Sequence, residues 1–274
     1  MEVFGDDFWF GKFHSQDYDL DLCSFQFDGD SEDDVFGIET KEVFVNDNPY
    51  SIYQGQNYSF KLEGTITLMR SPCRHSGQKD LILSEHEFRA IMREITGARG
   101  YQWMKIVSSE VGENIWYKAR VKGVKCQRIG GEVFGIVITV ETNSYMGYSE
   151  EFRRIYNLQK DIELLFYSDS DDLNNYLYPN VTLIPSSAGK LEITNLSDVS
   201  DTFKNGYSLI FDNVAPSVEI TMNGEYQIIK GRNLDGFNGH WIRLLPGENR
   251  LISNMDVSLQ LIYRMPRKVG FICK

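Results

Sequence analysis

The sequence predicts a mainly β protein with one notable helix. Three observations carry this. Apolar and polar residues alternate with period two over most of the chain, the pattern of strands whose successive side chains point to opposite faces of a sheet. Polar or glycine-containing turns separate most of these runs, the spacing expected of sandwiches and barrels. One stretch, LILSEHEFRAIMREITGARG, breaks the alternation with a helical period.

In chain order, the alternation predicts strands over Glu42–Val45, Tyr58–Met69, Trp103–Ser108, Ile115–Lys125 and Val133–Thr142. Further on it predicts Ile162–Tyr167, Val181–Ile184, Leu191–Asn195, Tyr207–Phe211, Val218–Met222, Tyr226–Lys230, Trp241–Leu245 and Val257–Arg264. The helix is placed at 85–96. Ser84 and Glu87 form a capping-box pattern. Phe88, Ile91, Met92 and Ile95 line up as one apolar stripe, and Gly97 suits the C′ position. Near residues 143–160 the alternation stops and the composition turns polar and aromatic. A boundary near 148 divides the chain into an N-terminal domain, 1–148, and a C-terminal one, 149–274. Within the second, Pro246-Gly247 forms a tight turn, with Gly247 supplying a positive φ. Trp241–Leu245 enters that turn as a strand, and Arg250-Leu251-Ile252 leaves it.

The bulk numbers exclude several classes. The chain has 274 residues, 42% hydrophobic and 24% charged, an ordinary mix for a protein with a buried core. Its net charge of −11 argues against a sequence-independent grip on phosphate backbones, which needs clustered cations. Cys23, Cys73, Cys126 and Cys273 are scattered with no CxxC pair, so no structural zinc site or redox motif is suggested. The N-terminus lacks a basic, then apolar, secretory pattern. No apolar run is long enough to span a bilayer. These features predict a protein folded in a cytoplasm and not inserted in a membrane.

Catalytic chemistry has little to stand on. The acidic loops DGDSEDD, with Asp28, Asp30, Asp33 and Asp34, and SDSDD, with Asp169, Asp171 and Asp172, lack the EF-hand arrangement and read as solvated loops. No nucleophile elbow, phosphate loop, dinucleotide fingerprint or metal-ligand spacing is present. No catalytic residue, cofactor or metal is assigned. In YKARVKGVK, Tyr117, Ala119 and Val121 alternate with Lys118, Arg120 and Lys122. One face should pack. The cationic face is either solvated or a contact surface for an acidic neighbour, including another copy of this acidic chain. Tyr176 and Tyr178 follow an Asp/Asn loop and are the best candidates for exposed aromatics. Together with Asp169, Asp171 and Asp172 they make a candidate outward binding surface.

Two stretches are recognisable together. In FWFGKFHSQDYDLDL, Phe10, Gly11, Ser15, Asp17, Tyr18 and Leu20 stand in a pattern that resembles the opening of the distal tail proteins of long-tailed bacteriophages. Further on, YPNVTLIPSSAGKLEITNLSD, FNGHWIRLLPGENRLI and VSLQLIYRMPRKVGF resemble that family's C-terminal domain. Trp241, Leu244, Pro246, Gly247 and Asn249 match its W-x-x-L-x-P-G-x-N hairpin. The resemblance covers almost the whole chain. It implies a tail-tube-like N-terminal β-domain with a flanking helix, and a galectin-like C-terminal β-sandwich. It also implies a structural, non-enzymatic protein of the virion tail tip, assembled in the bacterial cytoplasm. Its partners would be other copies of itself in a hexameric ring, the tail tube protein, the tail hub protein, and receptor-binding proteins or host glycans. DNA would pass through the ring without being specifically bound. Asp28, Asp30, Asp33 and Asp34 facing Lys118, Arg120 and Lys122 could join neighbouring copies. The alternatives are a stand-alone carbohydrate-binding sandwich and a glycoside hydrolase.

Overall fold

The structure, a computed structural model of the chain, describes residues 3–5, 7–27, 38–44, 50–58, 61–72, 74–75, 77–107, 114–230 and 236–268. Contacts divide it into two compact units. One holds the described residues up to Gly147 together with Lys268, and the other is Tyr148–Arg267. The chain is mainly β with one α-helix among the described residues.

The strands of the first unit are β1 (Val3–Gly5), β2 (Asp7–Phe10), β3 (Phe13–His14), β4 (Asp21–Phe27), β5 (Ile38–Phe44) and β6 (Ser51–Tyr58). They continue with β7 (Glu63–Met69), the helix α1 (Glu85–Thr96), β8 (Gln102–Val107), β9 (Trp116–Ile129) and β10 (Glu132–Thr142); the two-residue β11 (Gly147–Tyr148) falls at the boundary. Eight strands run side by side in the order β1-β4-β7-β10-β9-β8-β2-β3, each antiparallel to its neighbour. β5 and β6 pair with each other in a separate two-stranded sheet. The run read as one strand from Tyr58 to Met69 is thus split: Tyr58 ends β6 and β7 starts at Glu63. The inward row, including Leu68, Met104, Tyr117 and Ile138, closes over Ile91 and Ile95 of α1.

The N-terminal motif has a local structural use. Gly11 takes φ +60 in the turn between β2 and β3, a conformation glycine adopts without a steric cost. Phe10 and Leu20 are core. Ser15 is fully buried; its Oγ donates to Asp7 Oδ1 at 2.8 Å and accepts from Phe8 N at 3.1 Å. Asp7 Oδ1 also accepts from Phe8 N at 2.8 Å, and Oδ2 lies 2.9 Å from Trp9 Nε1 and 2.6 Å from His14 Nε2. Asp7 is thereby buried with its hydrogen bonds made, the condition under which a buried carboxylate is tolerated. Tyr18 stacks on Phe13 and donates to Glu94 on α1.

The capping box of α1 is formed: Glu87 N donates to Ser84 Oγ, and Ser84 N to Glu87 Oε2. Arg70, just beyond β7, adds a link to Glu87 Oε1 at 2.5 Å and donates to Ile82 O at 2.9 Å. The helix start is thus tied to the sheet. Gly97 differs from expectation. It is the C-cap with φ −75, so the helix does not close through a left-handed glycine.

The second unit contains β12 (Phe152–Leu158), β13 (Leu164–Ser168), β14 (Asn180–Pro185), β15 (Gly189–Asn195) and β16 (Tyr207–Val214). β17 (Ile220–Asn223), β18 (Ile228–Lys230), β19 (Gly247–Ser253), β20 (Val257–Tyr263) and β21 (Pro266–Arg267) follow. Two sheets form a sandwich: β12-β20-β14-β17-β18 and β13-β19-β15-β16. Leu183, Leu259 and Leu261 from one sheet, and Leu191, Leu209 and Leu251 from the other, share one core.

Two readings of this unit are corrected. The stretch 143–160 contains a seven-residue strand, β12. Its row Phe152, Arg154, Tyr156, Leu158 does alternate, but a charge interrupts it; Arg154 lies 5.8 Å over the Phe152 ring. Trp241–Leu245 is not a strand, apart from an isolated bridge at Leu244. Trp241 and Ile242 are both buried, and adjacent inward side chains are incompatible with a period of two. Gly247 does carry a positive φ, +84. The turn is held by a side chain in place of a strand pair. Asn249 Oδ1 accepts from Leu245 N at 2.8 Å, while its Nδ2 donates to Leu245 O at 2.8 Å and Gly247 O at 3.1 Å. The buried amide thus supplies the donor and acceptor that a backbone neighbour would.

Asn249→Ala is expected to destabilise the second unit by about 2–3 kcal/mol, because it strands several polar groups at once. Urea unfolding of the full chain measures this; an unchanged midpoint would remove the role given to the amide.

Candidate interaction surfaces

The cationic row of β9 lies where the alternation puts it. Tyr117 and Ala119 are core, and Val121 packs against them. Lys118, Arg120 and Lys122 are on the other face and are engaged within the same sheet. Lys118 Nζ is 5.6 Å from the Trp103 ring centre. Arg120 reaches Glu141 at 3.0 Å and lies over Tyr101. Lys122 sits 2.6 Å from Glu63 and 3.5 Å from Glu141. It occupies a β-bulge, the unpaired position between Val121 opposite Val140 and Gly123 opposite Thr139, which re-aims a side chain. Lys61 adds a third cation to Glu141 at 3.3 Å. Asp28, Asp30, Asp33 and Asp34 lie outside the described residues.

Glu141 is the hub of this group. Burial alone would raise its carboxyl. The hydrogen bond from Lys61 and the charges of Arg120, Lys61 and Lys122 outweigh that and hold it below the usual carboxylate range. Glu87 shows the same balance: burial raises it, while Ser84 and Arg70 bring it lower overall.

In the second unit, Arg243 organises the aromatic residues. Its guanidinium meets the buried Asp198 carboxylate at 2.5 and 3.1 Å. It lies 4.0 Å from the ring centre of Tyr176 and 3.8 Å from that of Tyr207, close contacts for a cation on an aromatic face. His240 stacks on Tyr207. Burial would lower the guanidinium, but Asp198 more than offsets this, so it stays charged. Asn195 Nδ2 donates to Asn249 Oδ1 at 2.8 Å, and its Oδ1 accepts from Ser197 N at 3.2 Å. The Asn-Leu-Ser-Asp turn and the Trp-to-Asn hairpin motif are therefore bonded to each other through three residue pairs, Asn195–Asn249, Asn195–Arg243 and Asp198–Arg243.

The expected outward residues divide. Tyr176 is 39% exposed but has Arg243 against its ring, and Tyr178 is half-buried and meets Tyr176 edge-on. Asp169 pairs with Arg267 at 3.2 Å, Asp171 N donates to Pro266 O, and Asp172 takes Asn175 Nδ2 at 3.0 Å. The structure brings none of the five into a cation-binding arrangement; no group of three metal-ligating side chains occurs among the described residues. The sequence reading missed Arg243, Asp198 and His240. The available signal was that Asp198 and Arg243 belong to the two motifs that recur together.

Models of protein families match both units. The phage tail protein N-terminal domain matches residues 4–144, and the phage tail C-terminal domain matches residues 146–263. The chain belongs to this phage tail protein family. It is a phage tail protein, in agreement with the resemblance to distal tail proteins. Among solved structures, this phage tail protein is similar to the SPP1 Dit (gp 19.1) protein, described as a paradigm of the hub adsorption apparatus in phages infecting Gram-positive hosts. The TM-score is 0.62 at 11% identity, covering 96% of this chain and 99% of that one. It is also similar to chains of the phage P2 baseplate in its activated conformation. With calcium the TM-score is 0.50 at 9% identity over 95% and 94% of the two chains. With strontium it is 0.51 at 9% identity over 97% and 99%. At these identities the likeness is one of fold. No curated protein matches by sequence. No described helix of the tail protein is long and apolar enough to cross a membrane.

Two expectations follow. The folded-state value of Glu141 lies below its unfolded one, so its contribution is complete above the ordinary glutamate value of about 4.3. It is lost as pH falls through the lower folded value. Urea midpoints of the full chain should fall with acidification, and Glu141→Gln should make that pH dependence shallower while Glu87 keeps its share. An unaltered slope would show that the cations do not depend on this carboxylate. Arg243→Leu leaves Asp198 buried without its partner and should cost about 3–5 kcal/mol. Arg243→Lys should cost less but remain destabilising, since it keeps the charge and loses the fork and ring stacking; thermal unfolding of the two variants reads the order.

Proposed function

We propose that this tail protein is a distal tail protein that closes into a six-membered ring at the tail tip. In this reading the first unit builds the ring and joins the tail tube to the hub protein. The second unit projects outward and holds receptor-binding proteins. The chain assembles in the host cytoplasm and works in the virion without catalysing a reaction. The observation that carries the reading is the extent of the likeness to SPP1 Dit, 96% of one chain and 99% of the other. A shared sandwich alone would leave the first unit unmatched.

The chemistry is compatible with a scaffold role. Ser15, His14 and Asp7 are the residue types of a hydrolytic triad, but Ser15 Oγ is fully buried and donates to Asp7. That wiring restrains a serine and does not activate it. The net charge of −11 suits a channel that DNA crosses without sticking. Ring closure needs two complementary faces on each copy. Lys118, Arg120 and Lys122 on one side, and Asp28, Asp30, Asp33 and Asp34 on the other, are the proposed pair.

The mass of the purified chain by light scattering, with negative-stain images of the same peak, tests this. A hexamer or double hexamer with a central hole is expected. Changing Asp28, Asp30, Asp33 and Asp34 together to Asn should shift that mass toward smaller species, and the shift should mimic the effect of added salt. Rings that form equally well with the four changes would remove these residues from the interface. A monomer under all conditions, including with a tail tube present, would overturn the ring.

A further inference from the structure

A β-sandwich has four edge strands, and exposed edges are templates for pairing with other chains unless blunted by charge, shortness or a cover. Three edges of the second unit are treated in these ways. β16 is covered by the segment at Gly236–Asn238, with Asp212 N donating to Gly236 O at 2.7 Å and Asn238 N to Ile210 O at 3.1 Å. β12 carries Arg153 and Arg154, both exposed. β18 has three residues and ends on Lys230.

Among the described residues, β13 has none of these devices. Its five residues, LLFYS, contain no proline and no charge. It pairs on one side with β19 and, among the described residues, ends the sheet on the other. In an antiparallel edge, alternate residues turn their N–H and C=O outward. Leu165 and Tyr167, on the face away from the core, are 66% and 70% exposed. The surroundings are acidic. Between residues 160 and 172 there are five acids and one lysine, with Asp161 and Glu163 before the strand and Asp169, Asp171 and Asp172 after it; Glu163 is bridged to Arg250, which stands opposite Leu165, at 2.6 Å and Asp169 to Arg267 at 3.2 Å, and the acids still outnumber these cations. Glu248 stands opposite Tyr167 on β19.

We infer that the free edge of β13 takes up an extended segment of a partner protein as an added strand, a segment with alternating apolar side chains and lysine or arginine at both ends. Backbone hydrogen bonds to β13 hold it in register, as in other strand-addition complexes. Its apolar side chains lie beside Leu165 and Tyr167, and its terminal cations meet the acids at the two ends of the strand. The inference is argued from the edge of β13 alone, so it goes beyond the ring reading and does not rest on it.

The test uses the full chain and three labelled peptides, KKVTVTVKK, EEVTVTVEE and KKVTPTVKK, followed by fluorescence anisotropy and by amide hydrogen exchange. The first peptide should bind saturably and slow exchange at Leu164–Ser168. The acidic peptide and the proline-interrupted peptide should each bind at least about tenfold more weakly, one through charge and the other through a lost ladder bond. The double variant Leu165→Lys, Tyr167→Lys should lose the first peptide without changing the mass of the chain. Asp161→Asn with Glu248→Gln, which leaves the strand itself intact, should weaken that peptide alone. Equal binding of the proline peptide would mean charge attraction without strand addition and would overturn the inference. So would failure of the first peptide to bind, or its undiminished binding to the lysine variant. A wild-type mass that falls in the lysine variant would identify a second copy as the occupant and overturn it as well.

Discussion

The second unit depends on a polar junction inside an apolar sandwich. Asn249 replaces a strand neighbour for Leu245, Asn195 bonds to Asn249, and Arg243 is clamped between Asp198 and two tyrosine rings. Removing water from these groups is unfavourable unless each finds a partner. Two segments far apart in sequence supply those partners to each other. The loop after β15 and the segment before β19 can therefore be satisfied only in one relative placement. The hydrophobic core makes the sheets face each other, and this junction fixes how the irregular 237–246 stretch crosses their end.

The first unit uses buried charge in a similar way. Asp7 gathers the strand-turn-strand at the N-terminus, Arg70 draws the helix start to the sheet, and Glu141 gathers cations from β9 and from Lys61 ahead of β7. An acidic protein with a row of cations on one strand looks ready for an external partner. Much of that charge is already met inside the sheet, and only what remains at the surface is open to a neighbour.

The regular elements were legible because their signals are local. The helix could be read from a capping box and a four-residue stripe, and most strands from alternation. Failures occurred where tertiary contacts override period. Arg154 interrupts the row of Phe152, Tyr156 and Leu158 on β12 while staying exposed, with its guanidinium over the Phe152 ring, which hides the alternation. Trp241 and Ile242 are both buried because a side-chain amide, and no strand, supports the turn beside them. The motif letters were visible, and their reason was not: nothing in WIRLLPGEN announces that Arg243 seeks an aspartate 45 positions earlier. The bare edge of β13 was likewise hidden, since an edge is defined by which strands are absent beside it.

The strand order of the second unit also has a kinetic meaning. β12, the first of its long strands, pairs along its length with β20, the last; Leu158 faces Val257 and Phe152 faces Tyr263. Bringing together segments about a hundred residues apart carries a loop-closure entropy that only the completed sheet repays. A nascent chain released before β20 leaves β12 and β14 without the strand that lies between them. The sandwich can close only once β20 has been made, so a product that stops before it has no route to a finished second unit.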